Sequence, residues 1–121
     1  MSSKTSQQLQ GQAAEEAAQT YLEHQGLRLI ERNFHCKMGE IDLIMQEAAT
    51  LVFVEVRFRR NQAFGGAAAS VTSSKQRKLH KTAALYLQRF NKQPPCRFDV
   101  IAMSVDSQGR LTCENWIKNA F

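Results

Sequence analysis

At 121 residues the chain suits a single domain, and its 43% hydrophobic and 22% charged residues exclude intrinsic disorder. No apolar run approaches the roughly 18 residues that a bilayer span requires, so no membrane association is expected. The formal net charge of +5 is uneven: residues 57–97 carry ten Lys or Arg and no carboxylate, whereas residues 1–56 carry four against eight Asp or Glu.

Met1 to Gln8 is polar, without the apolar core of a secretory signal, and reads as a flexible tail before a single domain over 9–121. The spacing predicts a helix from about Leu9 to Gln25, stopped by Gly26. Its apolar stripe is Ala14, Ala17, Ala18, Tyr21 and Leu22. Glu16 falls opposite that stripe, and Glu15 falls on its margin, an uncommon place for a carboxylate. Leu27 to Phe34 reads as a first strand, and Gly39 opens a second through Met45. A turn at Ala48-Ala49 leads to a third strand, Leu51 to Arg59. Val52, Val54, Val56 and Phe58 share one of its faces, with Glu55, Arg57 and Arg59 on the other.

Residues 61–71 form a Gly- and Ala-rich connection without helical period; within it, Phe64 is a candidate base-stacking ring. Thr72 or Ser73 is expected to cap a second helix reaching about Phe90, with Leu79, Ala83, Tyr86, Leu87 and Phe90 as its stripe. Lys75, Arg77, Lys78 and Lys81 crowd its first turns, against the helix dipole, a placement that suits an anionic ligand. Arg97 to Val105 and Leu111 to Ile117 complete the strands, with Arg97 and Asp99 as an edge ion pair. The order α-β-β-β-α-β-β predicts an α/β fold, a mixed central sheet of about five strands flanked by two main helices. Three cysteines, Cys36, Cys96 and Cys113, form neither a disulfide framework nor a zinc pattern and fit a reducing cytoplasm.

A hairpin centred on Ala48-Ala49 sets Asp42 opposite Glu55, with β-carbons about 5 Å apart. Like charges so placed need a proton, a cation such as Arg57, or a metal between them. All-oxygen ligation suits Mg²⁺ or Mn²⁺, with Glu15 as a third carboxylate. The bland alternative pairs Glu55 with Arg57 or Arg97 as a structural ion pair. The ten-cation stretch is an electrostatic footprint for a polyanion, with Arg59, Arg60, Lys75, Arg77, Lys78 and Lys81 as its contacts. His80, beside Lys81, is a minor candidate for phosphate contact.

Asp42 followed by Glu55-Val56-Arg57 resembles the PD-(D/E)-x-K signature of the restriction-endonuclease-like superfamily. More closely, the chain resembles the YraN-like family of uncharacterised bacterial proteins. The pieces are Gly11-x3-Glu15-x2-Ala18-x2-Tyr21-Leu22, Arg32-Asn33, Gly39-Glu40-Ile41-Asp42-Leu43-Ile44, Phe53-Val54-Glu55-Val56-Arg57, Ser74-Lys75 and Arg97-Phe98-Asp99-Val100. The resemblance implies a restriction-endonuclease-like core similar to archaeal Holliday-junction resolvases. It also implies a catalytic set of Glu15, Asp42, Glu55 and Arg57, with a divalent metal on Asp42, Glu55 and Glu15. Nucleic acid, DNA before RNA, is the expected partner, and a homodimer is admitted because resolvases are dimeric. Arg57 stands where the signature has lysine, and a guanidinium stays protonated, so it stabilises charge but removes no proton. Two functions follow as expectations: a metal-dependent phosphodiester hydrolase, or a nucleic-acid-binding or protein-interaction module that keeps the architecture without cleavage.

Overall fold

Among the described residues seven elements follow in the expected order α-β-β-β-α-β-β. They are helix α1 (Ser6–His24), strands β1 (Arg28–Cys36), β2 (Gly39–Glu47) and β3 (Thr50–Arg59), helix α2 (Ser73–Leu87), and strands β4 (Cys96–Val105) and β5 (Leu111–Ile117). The computed structural model describes residues 6–59 and 70–121, with Ser6, Gln7 and Arg59 described by their backbone alone.

α1 begins three residues before Leu9, so residues 6–8 of the expected tail lie in its first turn. Its end follows the glycine logic. Gly26 adopts φ +97°, its N–H donates to the Glu23 carbonyl at 3.1 Å, and the Leu27 N–H reaches back to the Leu22 carbonyl at 3.1 Å. That pair of bonds closes the helix as a Schellman turn and buries Leu27 beside Leu22. Ala14, Ala18 and Leu22 are buried, Glu16 is exposed, and Glu15 is half-buried, as the stripe predicts.

α2 starts at Thr72, whose hydroxyl accepts the Lys75 N–H at 3.2 Å, and its first turn holds no acid. It ends at Leu87, short of Phe90, because the Gln88 and Phe90 N–H groups bond three residues back and tighten the chain out of the helix. Phe90 is consequently 37% exposed and leaves the expected stripe. Thr82 is buried instead, its hydroxyl donating to the Lys78 carbonyl at 2.8 Å.

The strands form one sheet in the order β1-β2-β3-β4-β5. Every neighbouring pair is antiparallel except β3 and β4, which run parallel and are joined through α2. Two apolar layers result. α1 covers Leu43, Met45, Val52, Val54, Ile101 and Met103; α2 covers Ile44, Leu51, Phe53, Phe98, Val100 and Ala102. β4 is buried on both faces and lies between β3 and β5, so Arg97 and Asp99 are not at a sheet edge. Both belong to an internal network: the Asp99 carboxylate, fully buried, accepts from Arg97, from Trp116 Nε1 at 2.9 Å and from the Asn119 N–H at 2.9 Å.

Candidate functional site

The expected hairpin register is present, with Leu43↔Val54, Ile44↔Phe53 and Met45↔Val52 as partners. The ladder stops at Leu43, so Asp42 lies one step past it, opposite Glu55. On the other side of β2, pairing skips from Arg32↔Leu43 to Phe34↔Ile41, and between them Asn33 takes the left-handed conformation, φ +53°. Asp42 is therefore flanked by gaps in both ladders. Alternation breaks there too: Ile41 and Leu43, two residues apart, pack into opposite layers. A strand that changes face at one residue re-aims that residue's side chain. Instead of a backbone partner, the Val56 N–H donates to the Asp42 carboxylate at 2.8 Å.

Three carboxylates converge at this break. Ligating oxygens of Glu15, Glu40 and Asp42 all lie within 4.8 Å of one another. The group thus takes Glu40, from β2, where the sequence reading had placed Glu55. Asn33, with its amide turned to suit both neighbours, donates to Glu15 Oε1 and Glu40 Oε1 at 3.0 Å each. Glu40 and Asn33 are the residues that sequence reasoning left out of the site. The signal for Glu40 was its position two residues before Asp42; Asn33 stood out only within the Arg32-Asn33 piece of the resemblance, without a role, because the gap in the ladder is not written in residue types.

Repulsion and burial dominate the electrostatics. Burial, then the charges of Glu15 and Glu40, push Asp42 up to about 7 despite the Val56 N–H. Glu15 is raised by burial against the lowering effect of its hydrogen bond with Asp42. That bond between two acids needs one proton, which the pair shares. Glu55, 7% exposed, is raised to about 7 by burial and then by Asp42, against the pull of Lys75 and Arg57.

Glu55 meets the cations. Lys75 Nζ and Arg57 Nη1 each stand 3.5 Å from its Oε1, and Arg57 Nε donates to Ser70 Oγ at 3.0 Å. Two clefts meet at Asp42 and Glu55. One, about 470 Å³, opens toward α1 and includes Glu15 and Asn33; the other, about 220 Å³, includes Glu40, Lys75 and Lys78. Arg77 and Lys81, both exposed, line neither cleft, since Arg77 sits about 200° of helical rotation from Lys75. Arg60, Phe64 and the Arg59 side chain lie outside the described residues. His80 packs its ring on Phe98, centroids 4.3 Å apart, away from both clefts. Arg97 is occupied by Asp99 and Glu47 and does not pair with Glu55.

The fold and site define a class: an α/β protein with a mixed five-stranded sheet and a carboxylate cluster seated where two strand ladders open. Within that class, the chain belongs to the uncharacterised protein family UPF0102, whose profile matches residues 14–103. Similar proteins of the family occur in Janthinobacterium sp. (strain Marseille), 54% identical over 97% of this chain and 90% of that one, and in Herminiimonas arsenicoxydans, with the same identity and coverage. A third, from Psychromonas ingrahamii, is 53% identical over 92% of this chain and 88% of its own. The YraN-like resemblance is thereby confirmed. Among solved structures, Pyrococcus furiosus SfsA in complex with Ca²⁺ is similar at TM-score 0.40 and 13% identity, over 90% of this chain and 63% of that one.

Proposed function

We propose that the protein is a nucleic-acid-binding phosphodiester hydrolase that depends on Mg²⁺ or Mn²⁺. The observation that carries this reading is the cluster of Glu15, Glu40 and Asp42 within 4.8 Å, beside a fourth acid, Glu55, that two cations contact. An all-carboxylate donor set fits a hard divalent ion, with Asp42, Glu15 and Glu40 holding it and Glu55 at its border. Bound there, such an ion supplies charge neutralisation on a phosphate and acidifies water. Arg57 stabilises charge on the phosphate, the role open to a group that never deprotonates. Lys75 brings from α2 the ammonium that the strand motif lacks, reaching the same Glu55 oxygen as Arg57. Lys78 extends the cationic wall along the backbone of the nucleic acid. DNA is the preferred substrate, the cytoplasm the setting, and a homodimer the admitted assembly.

The test is a cleavage assay with Mg²⁺ or Mn²⁺ on single-stranded, duplex and branched DNA. Wild type cuts, while Asp42→Ala, Glu15→Ala and Glu40→Ala bind without cutting. Binding with no product from wild type on any substrate moves the protein to the second reading, a non-catalytic nucleic-acid-binding module. Arg57 in the lysine position favours that reading.

A further inference from the structure

The three acids that converge at the break in β2 come from different clefts. Glu15, on α1, lines the larger one and Glu40, on β2, lines the smaller, while Asp42 borders both. Glu40 is exposed and Glu15 half-buried, and each is a long side chain whose rotamers cost free energy to fix. Their like charges push them apart, yet their oxygens lie within 4.8 Å of each other and of Asp42. Something has to hold them there.

Asn33 is placed to do it. Its amide nitrogen donates to Glu15 Oε1 and to Glu40 Oε1 at 3.0 Å each, so one side chain reaches an acid from each cleft. In the β1–β2 register it falls opposite Asp42, between the partners Arg32↔Leu43 and Phe34↔Ile41. The backbone points the same way. Asn33 has φ +53°, a conformation that most side chains avoid and that asparagine tolerates. Glycine would adopt it more readily but carries no amide, and aspartate tolerates it but has no N–H to offer. Asparagine meets both demands.

We propose that Asn33 is a positioning residue for the divalent ion: it holds the Glu15 and Glu40 carboxylates together before the ion arrives, and so shifts the site's preference toward Mg²⁺ and away from the larger Ca²⁺. The inference rests on the metal reading of this site. An amide nitrogen has two hydrogens, one for each acid, and bears no charge. A lysine or arginine there would neutralise the acids and stand in for the ion; the neutral amide steadies them and leaves their charge to it. Mg²⁺ demands near-ideal octahedral geometry, whereas Ca²⁺ accepts variable ligand numbers and distances. Fixing two ligand oxygens ahead of binding therefore helps Mg²⁺ more.

Calorimetric titration of the metal-free protein with Mg²⁺ and with Ca²⁺, in the absence of nucleic acid, tests it. Asn33→Gly keeps the left-handed backbone and deletes both donors. Its Mg²⁺ affinity should fall roughly tenfold, as when a group that orients metal ligands is lost, and its Ca²⁺ affinity by less than about threefold. Unchanged Mg²⁺ affinity in Asn33→Gly, with or without a lower melting temperature, gives Asn33 to the fold alone and overturns the proposal. A loss of Ca²⁺ affinity equal to or greater than that of Mg²⁺ overturns it too. Both results leave the metal reading standing, because wild type still binds Mg²⁺. Failure of wild type to bind Mg²⁺ overturns the metal reading and this inference together.

Discussion

Asp42 and Glu55 are each pushed up to about 7, from ordinary values of 3.8 and 4.5, with burial as the first cause in both. The folded protein therefore holds protons that the unfolded chain has already released between about pH 4 and 7. Stability from these groups is full below that window, falls as pH rises through it, and is gone above it. Freed of divalent metal, wild type should show a melting temperature that drops from about pH 5 to 8. Asp42→Asn keeps an oxygen for the Val56 N–H and removes the charge, so at pH 8 it should gain on the order of 2 kcal/mol and flatten the slope. Glu55→Gln should do the same more weakly, because it also gives up Lys75 and Arg57. Mn²⁺ should raise the midpoint of wild type at pH 8 but not that of Asp42→Asn. Calorimetry across pH, with and without Mn²⁺, checks all four, and a flat wild-type profile would contradict the repulsive site. Glu47 has the opposite sign: its hydrogen bond to Arg97 lowers it, so its contribution is lost only as pH falls into the acid range.

α2 carries cationic chemistry from a weak starting point. Its first turn has Lys75 and no acid, so Thr72 is the main device that settles its N-terminus. Thr72→Ala should cost about 1 kcal/mol in denaturant melts. Since the capped N–H belongs to Lys75, the same change should weaken the Lys75–Glu55 contact and lower activity more than the exposed substitution Arg77→Ala does. Elements of this kind were legible in the sequence for a physical reason. Gly26 announces its own left-handed stop, and a hairpin centred on Ala48-Ala49 is enough to set Asp42 opposite Glu55, the register the strands adopt. Glu15 at the stripe margin was legible on the same grounds. What strict periodicity cannot express is its own interruption. Asn33 at φ +53° and the change of face at Asp42 bring Glu40 into the cluster, and neither leaves a mark in the pattern of residue types. The internal place of β4 was likewise hidden, because a parallel pairing through a helix fixes neighbours only once the sheet is assembled.

Across the whole molecule, the ten cations of residues 57–97 are not one solvated face. Arg97 is tied to Asp99 and Glu47, Arg89 lies over the Tyr86 ring at 3.7 Å and meets Glu31, and Arg57 and Lys75 contact Glu55. These ties join β4 to β2, the segment after α2 to β1, and α2 to Glu55 on β3, so part of the basic excess builds the fold. A polyanion, which sees only charges it can reach, should therefore show a gentler salt dependence than the sequence count suggests. Each phosphate contact removed should reduce the magnitude of the slope of log K against log salt by about one. Lys78, exposed and on the Lys75 cleft, is expected to be such a contact, whereas Arg89 is engaged elsewhere. Lys78→Ala should thus lower both affinity and slope, and Arg89→Ala should lower thermal stability with the slope intact. Titrations of a labelled duplex at several salt concentrations separate the two. Equal slopes for wild type and Lys78→Ala would remove α2 from the path of the nucleic acid and leave its cations to the fold alone.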